Sequence, residues 1–175
     1  TQTVTTAVAS VDFTSGIDAT YKTYAAVLDG LQFATAGSQL NLLTSTDGGS
    51  SFDTGASDYA YATMALASAA SSGSSVSDFT DNANNSIRLF GGQSVTNTSG
   101  KTSSGIINLF NAGNTNETDF TWQFIVSNSS ASAPKLMIKG VGSRLSLANV
   151  DAISLLSTSG NLTAGTFTLY GLAGA

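Results

Sequence analysis

The side chains available for chemistry in this sequence are mainly carboxylates. The chain has eleven acidic residues but neither histidine nor cysteine, so it cannot build a Ser-His-Asp or Cys-His nucleophile or a histidine-ligated metal site. Two carboxyl groups about 5 to 9.5 Å apart could hydrolyse a glycosidic bond. Most of these acids, however, lie beside Gly, Ser or Asn, where Asp side chains cap turns. The sequence therefore predicts a protein that is not an enzyme and uses no cofactor.

One acidic segment carries oxygen ligands of the kind that Ca²⁺ prefers. Asp47, Asp53 and Asp58 follow one another in a stretch rich in Gly and Ser, and they are the candidate metal ligands of the chain. Their spacing is not that of an EF-hand loop, and no Glu closes the segment. A turn capped by Asp side chains explains the same pattern, and we favour it over a Ca²⁺ site.

Aromatic residues offer a second kind of site. Trp122 alternates with Phe120 and Phe124, so the three share one face of a predicted strand. An exposed row would serve sugar stacking or a subunit interface, whereas a buried row would be core, and we favour core because large aromatics dominate burial. Tyr59 and Tyr61 are further candidates for stacking or for an interface.

Composition excludes several partners. Only 10% of the residues are charged and the formal net charge is −5. The six basic residues do not cluster, which argues against nucleic acid and against an anionic membrane surface. The chain shows no run approaching the roughly 20 apolar residues of a membrane span, and residues 1–6 do not resemble a signal peptide. A neutral polar surface of this kind suits packing against neighbouring subunits.

Short apolar segments separated by Ser, Thr, Asn and Gly predict an all-β protein. The pattern is typical of an antiparallel β-sandwich of about ten short strands. The expected strands cover residues 11–14, 24–33, 39–46, 59–66, 87–90, 105–110, 120–126, 136–139, 152–156 and 166–170. We expect residues 1–9 to form an N-terminal arm or edge strand and residues 10–175 to form a single sandwich domain.

Three segments need a local interpretation. The stretch 59–66 alternates like a strand although its Ala content would also suit a helix. Asp29 interrupts an apolar face, which indicates a β-bulge at Asp29–Gly30. Residues 68–85 are of low complexity and predict a long loop, in which Phe79 is the one aromatic residue and would anchor the loop to the core or to a partner.

Two glycine clusters, 91–92 and 140–142, lack the spacing of a phosphate-binding loop and predict turns. The second cluster is flanked by Lys139 and Arg144. In a turn, these two cations could contact a carboxylate of a neighbouring subunit.

Three phrases of the sequence resemble small β-sandwich proteins encoded by tailed bacteriophages. They are FTSGIDATY at 13–21, TSTDGGSSF at 44–52 and SGNLTAGTFTLYG at 159–171. The resemblance implies a jelly-roll-like virion component: a capsid decoration, tail-associated or fibre protein. It implies a location in the phage particle and contacts with other virion proteins. It also implies that the chain forms a symmetric homo-oligomer, for example a trimer.

Two other functions remain open at this stage. A carbohydrate-binding or receptor-binding module would use Tyr59, Tyr61 or Trp122 to stack on a host-surface glycan. A subunit of an extracellular filament or surface layer would pair residues 1–9 or 171–175 with the sheet edge of a neighbour.

Overall fold

The computed structural model describes residues 1–67, 76–129 and 135–173. Within these ranges the chain forms twelve β-strands. In chain order they are β1 (Gln2–Val4), β2 (Ser10–Phe13), β3 (Thr23–Phe33), β4 (Leu40–Ser45), β5 (Tyr59–Ala67), β6 (Val76–Asn84), β7 (Ile87–Arg88), β8 (Ser103–Phe110), β9 (Thr118–Ser127), β10 (Lys135–Arg144), β11 (Ala152–Ser157) and β12 (Leu162–Leu172).

The strands form two sheets in which every neighbouring pair is antiparallel. The larger sheet has the order β1-β12-β3-β8-β9-β10-β5-β6, and the smaller sheet has the order β2-β11-β4-β7. The chain passes repeatedly from one sheet to the other. The predicted antiparallel β-sandwich is confirmed.

The hydrophobic core contains residues of both sheets. On β9, Phe120, Trp122 and Phe124 are buried. The intervening Gln123 and the following Ile125 are exposed. The ring of Phe124 meets that of Phe90 edge-to-face, with centroids 5.2 Å apart. Period-two alternation therefore places the aromatic row of β9 in the core, as the sequence indicated.

The segment 59–66 is a strand, as predicted. In β5 the odd-numbered positions are buried and the even-numbered positions are more exposed. A helix would have spread the same residues around its circumference. This alternation turns Tyr59 and Tyr61 inward and leaves Met64 and Leu66 on the opposite face.

The predicted loop over 68–85 is wrong for its second half. Residues Val76–Asn84 form β6, which pairs with β5 at the edge of the large sheet, while residues 68–75 lie outside the described ranges. β6 and β1 account for the difference between the ten expected strands and the twelve observed. β6 escaped prediction because an edge strand with few apolar side chains lacks a clear alternating pattern.

The glycines at 140–142 do not form the predicted turn but lie inside β10. A Cβ atom on Gly140 would come 2.1 Å from Cζ2 of Trp122, so the absence of a side chain makes room for the indole. The other cluster forms a turn as predicted, since the N–H of Gly91 donates to the carbonyl of Arg88 at 3.0 Å.

The predicted bulge at Asp29–Gly30 is confirmed. The register between β3 and β8 shifts between Leu28 and Leu31. Gly30 has a φ of +67°, a conformation that a residue without a Cβ adopts readily. The bulge leaves Asp29 exposed, where its carboxylate accepts a hydrogen bond from Ser104 Oγ at 2.8 Å.

Candidate interaction surface

The aromatic candidates for sugar stacking lie inside the sandwich. Tyr59, Tyr61 and Trp122 are all buried. The hydroxyl of Tyr59 accepts a hydrogen bond from the N–H of Thr44 at 2.8 Å and donates to the carbonyl of Asp53 at 3.1 Å. Burial raises the pKa of Tyr59 to about 12. The prediction that these rings face a glycan therefore does not fit the structure.

Phe79 anchors β6 to its own chain. A Cβ atom on Gly92 would lie 2.3 Å from Cε1 of Phe79, and one on Gly91 would lie 2.8 Å from Cδ2. The ring therefore rests directly on the backbone of the Gly91–Gly92 turn. The sequence left open whether Phe79 packs against its own chain or against a partner, and in the structure it packs against its own chain.

Asp47 caps the turn that follows β4. Its Oδ1 accepts a hydrogen bond from the N–H of Ser51 at 2.9 Å, and its Oδ2 accepts one from Ser51 Oγ at 2.7 Å. The hydroxyl of Ser45 donates to Oδ1 at 2.7 Å. These bonds, that from the Ser51 hydroxyl foremost, lower the pKa of Asp47 to about 2. The favoured interpretation as a turn capped by Asp is confirmed.

The other two candidate Ca²⁺ ligands have separate partners. Oδ2 of Asp53 accepts from Arg144 Nε at 2.9 Å, and Oδ2 of Asp58 accepts from the N–H of Gly55 at 2.6 Å. Among the described residues, no three acidic side chains converge on a position suited to a metal ion.

The expected contact of Arg144 with a neighbouring subunit is wrong. Arg144 is buried and forms an ion pair with Asp53 of its own chain.

The surface that sequence reasoning missed is the outer face of the large sheet. It consists of the side chains that point away from the core on β12, β3, β8, β9, β10 and β5, arranged in four rows across the strands. Row one is Leu172, Thr23, Phe110, Asp119, Ser143 and Ala60. Row two is Tyr170, Ala25, Asn108, Thr121, Val141 and Ala62. Row three is Thr168, Val27, Ile106, Gln123, Lys139 and Met64. Row four is Thr166, Asp29, Ser104, Ile125, Met137 and Leu66.

This outer face concentrates the exposed apolar side chains. Of the twelve large hydrophobic residues exposed among the described residues, nine lie in the four rows. Ile125 is 58% exposed, Val141 52% and Tyr170 51%. Contiguous apolar surface of this kind marks interaction sites on soluble proteins. Two-sided apolar strands, such as the one that contains Ile106 and Ile107, are the sequence signal that would have revealed it.

Few charges interrupt the outer face. Within the four rows they are Lys139, Asp29 and Asp119. Both carboxylates accept hydrogen bonds from neighbouring serines: Ser104 Oγ lies 2.8 Å from Asp29, and Ser143 Oγ lies 2.6 Å from Asp119. With one cation and two anions, the face is nearly neutral. Lys139 and Asp29 lie on different strands, in adjacent rows.

The relief of the outer face includes a shallow trough of about 540 Å³ between β10, β5 and β6. Ala60 and Ala62 form its floor, and Val141, Ser143 and Thr80 flank it. Small side chains on β5 thus create a depression beside the tall Val141. On the opposite side of the same face, Tyr170 and Leu172 project from β12 as exposed knobs.

Comparison with protein-family models, with curated proteins and with solved structures finds no match for this chain. In the described ranges, no helix is long and apolar enough to cross a membrane.

Proposed function

We propose that the chain is a non-enzymatic structural component of a tailed-phage virion, a decoration, tail or fibre protein that acts through subunit contacts. The observation that carries the contact role is the outer face, where nine exposed large apolar side chains occur in four rows with three charges. The phage context rests on the resemblance of residues 13–21, 44–52 and 159–171 to phage β-sandwich proteins.

The physical role is burial of this face against a neighbouring protein. Each square ångström of apolar surface removed from water contributes about 25 cal/mol. Because the face has few charges, its contacts depend little on ionic attraction and should persist in moderate salt. Dissociation of the assembled protein by moderate salt would count against this role.

The filament alternative draws no support from the N-terminal segment. Gln2, Thr3 and Val4 already pair with β12 of the same chain, and Val8 forms a bridge with Leu162. A donated strand would have to leave these partners first. The proposed contact role needs no such rearrangement.

The proposal is tested on purified particles of the phage that encodes the chain. Mass spectrometry should find the protein at a fixed copy number relative to the major capsid protein, and density of the particle should place the sandwich at a defined symmetry position. Absence of the protein from particles purified to constant composition would overturn the virion assignment.

A further inference from the structure

We infer that the outer face binds the same face of a second copy, about a two-fold axis that runs along the strands between β8 and β9. The inference deepens the proposed contact role and rests on it, since it names the partner that covers the face. The resulting interface is isologous, because the same patch contributes from both copies. Each sheet would pack on its mate as in an aligned β-sandwich.

The axis determines which strands face each other. It places β8 over the partner's β9, β3 over the partner's β10, and β12 over the partner's β5, while each row meets its own counterpart. This follows from the strand order β12-β3-β8-β9-β10-β5 and from the pairing registers that define the rows.

With this arrangement, large side chains meet small ones. Tyr170 lies over the partner's Ala62, and Leu172 lies over the partner's Ala60, so the two knobs of β12 enter the trough of the second copy. Ile125 lies over the partner's Ser104. Complementary relief of this kind allows close packing, which a face of uniformly large side chains would prevent.

Two of the three charges, those of Lys139 and Asp29, are complementary as well. Lys139 on β10 faces the partner's Val27, which lies one row away from the partner's Asp29. One row corresponds to about 7 Å along a strand, a distance that the four-carbon stem of lysine can span. Two symmetric ion pairs would therefore form. An axis across the strands along row three would instead set Lys139 against the partner's Lys139, and like charges in contact are unfavourable.

The area also fits a stable dimer. A residue that points out of a sheet occupies about 30 Å² of its face, given a strand spacing of about 4.8 Å and two residues per repeat. Six strands crossed by four rows then present roughly 750 Å². Stable protein interfaces bury about 800 Å² on each partner.

The first test is the mass of the purified full chain by sedimentation equilibrium over a range of concentrations. We expect a dimer for the wild type and a dissociation constant raised at least about 100-fold by Ile125→Glu, which places an anion over the partner's Ser104 and beside the partner's Asp29, where like charges repel. Leu147→Glu is the matched control, because Leu147 is 75% exposed and lies outside the four rows. A wild-type monomer or trimer would overturn the proposal, as would equal effects of the two variants.

The second test exchanges the charges. Lys139→Asp and Asp29→Lys should each weaken the dimer about tenfold or more because each places like charges opposite each other. The double variant should recover most of the affinity, because the exchanged charges attract each other again. If a single variant bound weakly only because it was misfolded, the second substitution would not restore binding. Failure of the double variant to recover, with thermal unfolding unchanged, would overturn the two-fold arrangement.

These outcomes are independent of the virion assignment. A dimer in solution together with absence from purified particles would refute the phage role and leave the self-association intact. A monomer in solution together with presence in particles would refute the self-association and leave the phage role intact.

Discussion

Arg144 and Asp53 form an ion pair that joins the end of β10 to the segment between β4 and β5. Arg144 Nε lies 2.9 Å from Asp53 Oδ2, and the two side chains are 9% and 25% exposed. The guanidinium also donates to Ser146, and Thr44 Oγ1 donates to Asp53 Oδ2 at 3.0 Å. Tyr59 contacts both Thr44 and the Asp53 carbonyl, so the pair belongs to a polar network at one end of the sandwich.

Replacing Asp53 with Asn should destabilise the fold through this pair. The variant leaves a mostly buried guanidinium without its carboxylate, and we expect the free energy of unfolding to fall by about 2 to 3 kcal/mol. Urea denaturation measures the change. Asp119→Asn is the control, because Asp119 accepts its hydrogen bond from an uncharged group, the hydroxyl of Ser143. This substitution should lower the free energy of unfolding by about 1 kcal/mol or less. Equal losses in both variants would contradict a special role for the ion pair.

Acid should weaken the fold through Asp47. The pKa of this carboxyl is lowered from 3.8 to about 2 in the folded chain. Because the folded-state pKa is depressed, the stabilisation is complete above pH 3.8 and is lost as the pH falls toward 2. Urea midpoints measured across this interval should fall less steeply for Asp47→Asn than for the wild type.

Ser51→Ala provides the control for the acid experiment. It removes the hydroxyl that donates to Asp47 Oδ2, so the pKa of Asp47 should move back toward 3.8 and the acid transition should move to higher pH. An unchanged transition in both variants would show that this turn does not contribute to acid sensitivity.

Gly140→Ala should overpack the core beneath β10. The new methyl group would meet the indole of Trp122 at 2.1 Å, and overpacking of this kind costs about 1 to 3 kcal/mol. Trp122 is the only tryptophan, so its fluorescence reports both the unfolding transition and the local change. Adding Trp122→Phe supplies space for the methyl group. The loss in free energy of unfolding of the double variant should therefore be smaller than the sum of the losses of the two single variants. A loss equal to that sum would refute the contact.

Phe79→Ala should loosen β6 more than the rest of the sandwich. The ring rests on the Gly91–Gly92 turn and is only partly buried, so we expect a loss of about 1 to 2 kcal/mol, less than for a fully buried Phe. Amide hydrogen exchange should accelerate mainly in Val76–Asn84. Thr80→Ala, on the other face of β6, should leave exchange unchanged. Faster exchange throughout both sheets would contradict a local anchor.

The sequence predicted the features that depend on neighbours along the chain. Alternation at period two identified most of the strands and turned Trp122 inward, because side chains of a strand point to opposite faces in turn. The turn at Asp47 and the bulge at Asp29 follow from local backbone preferences and short-range hydrogen bonds. These features need no knowledge of which strands pair.

The features that depend on pairing were decided by the tertiary structure alone. Gly140 lies inside a strand because β10 pairs with β5 and β9 along its length. Only a residue without a side chain fits there, because the indole of Trp122 on the adjacent strand fills the space. β6 forms because β5 offers it an edge. The outer face exists because long-range register brings apolar residues such as Val27, Ile106 and Met64 into one row. Periodicity decides which way each side chain points, but only the strand order and register decide which side chains become neighbours.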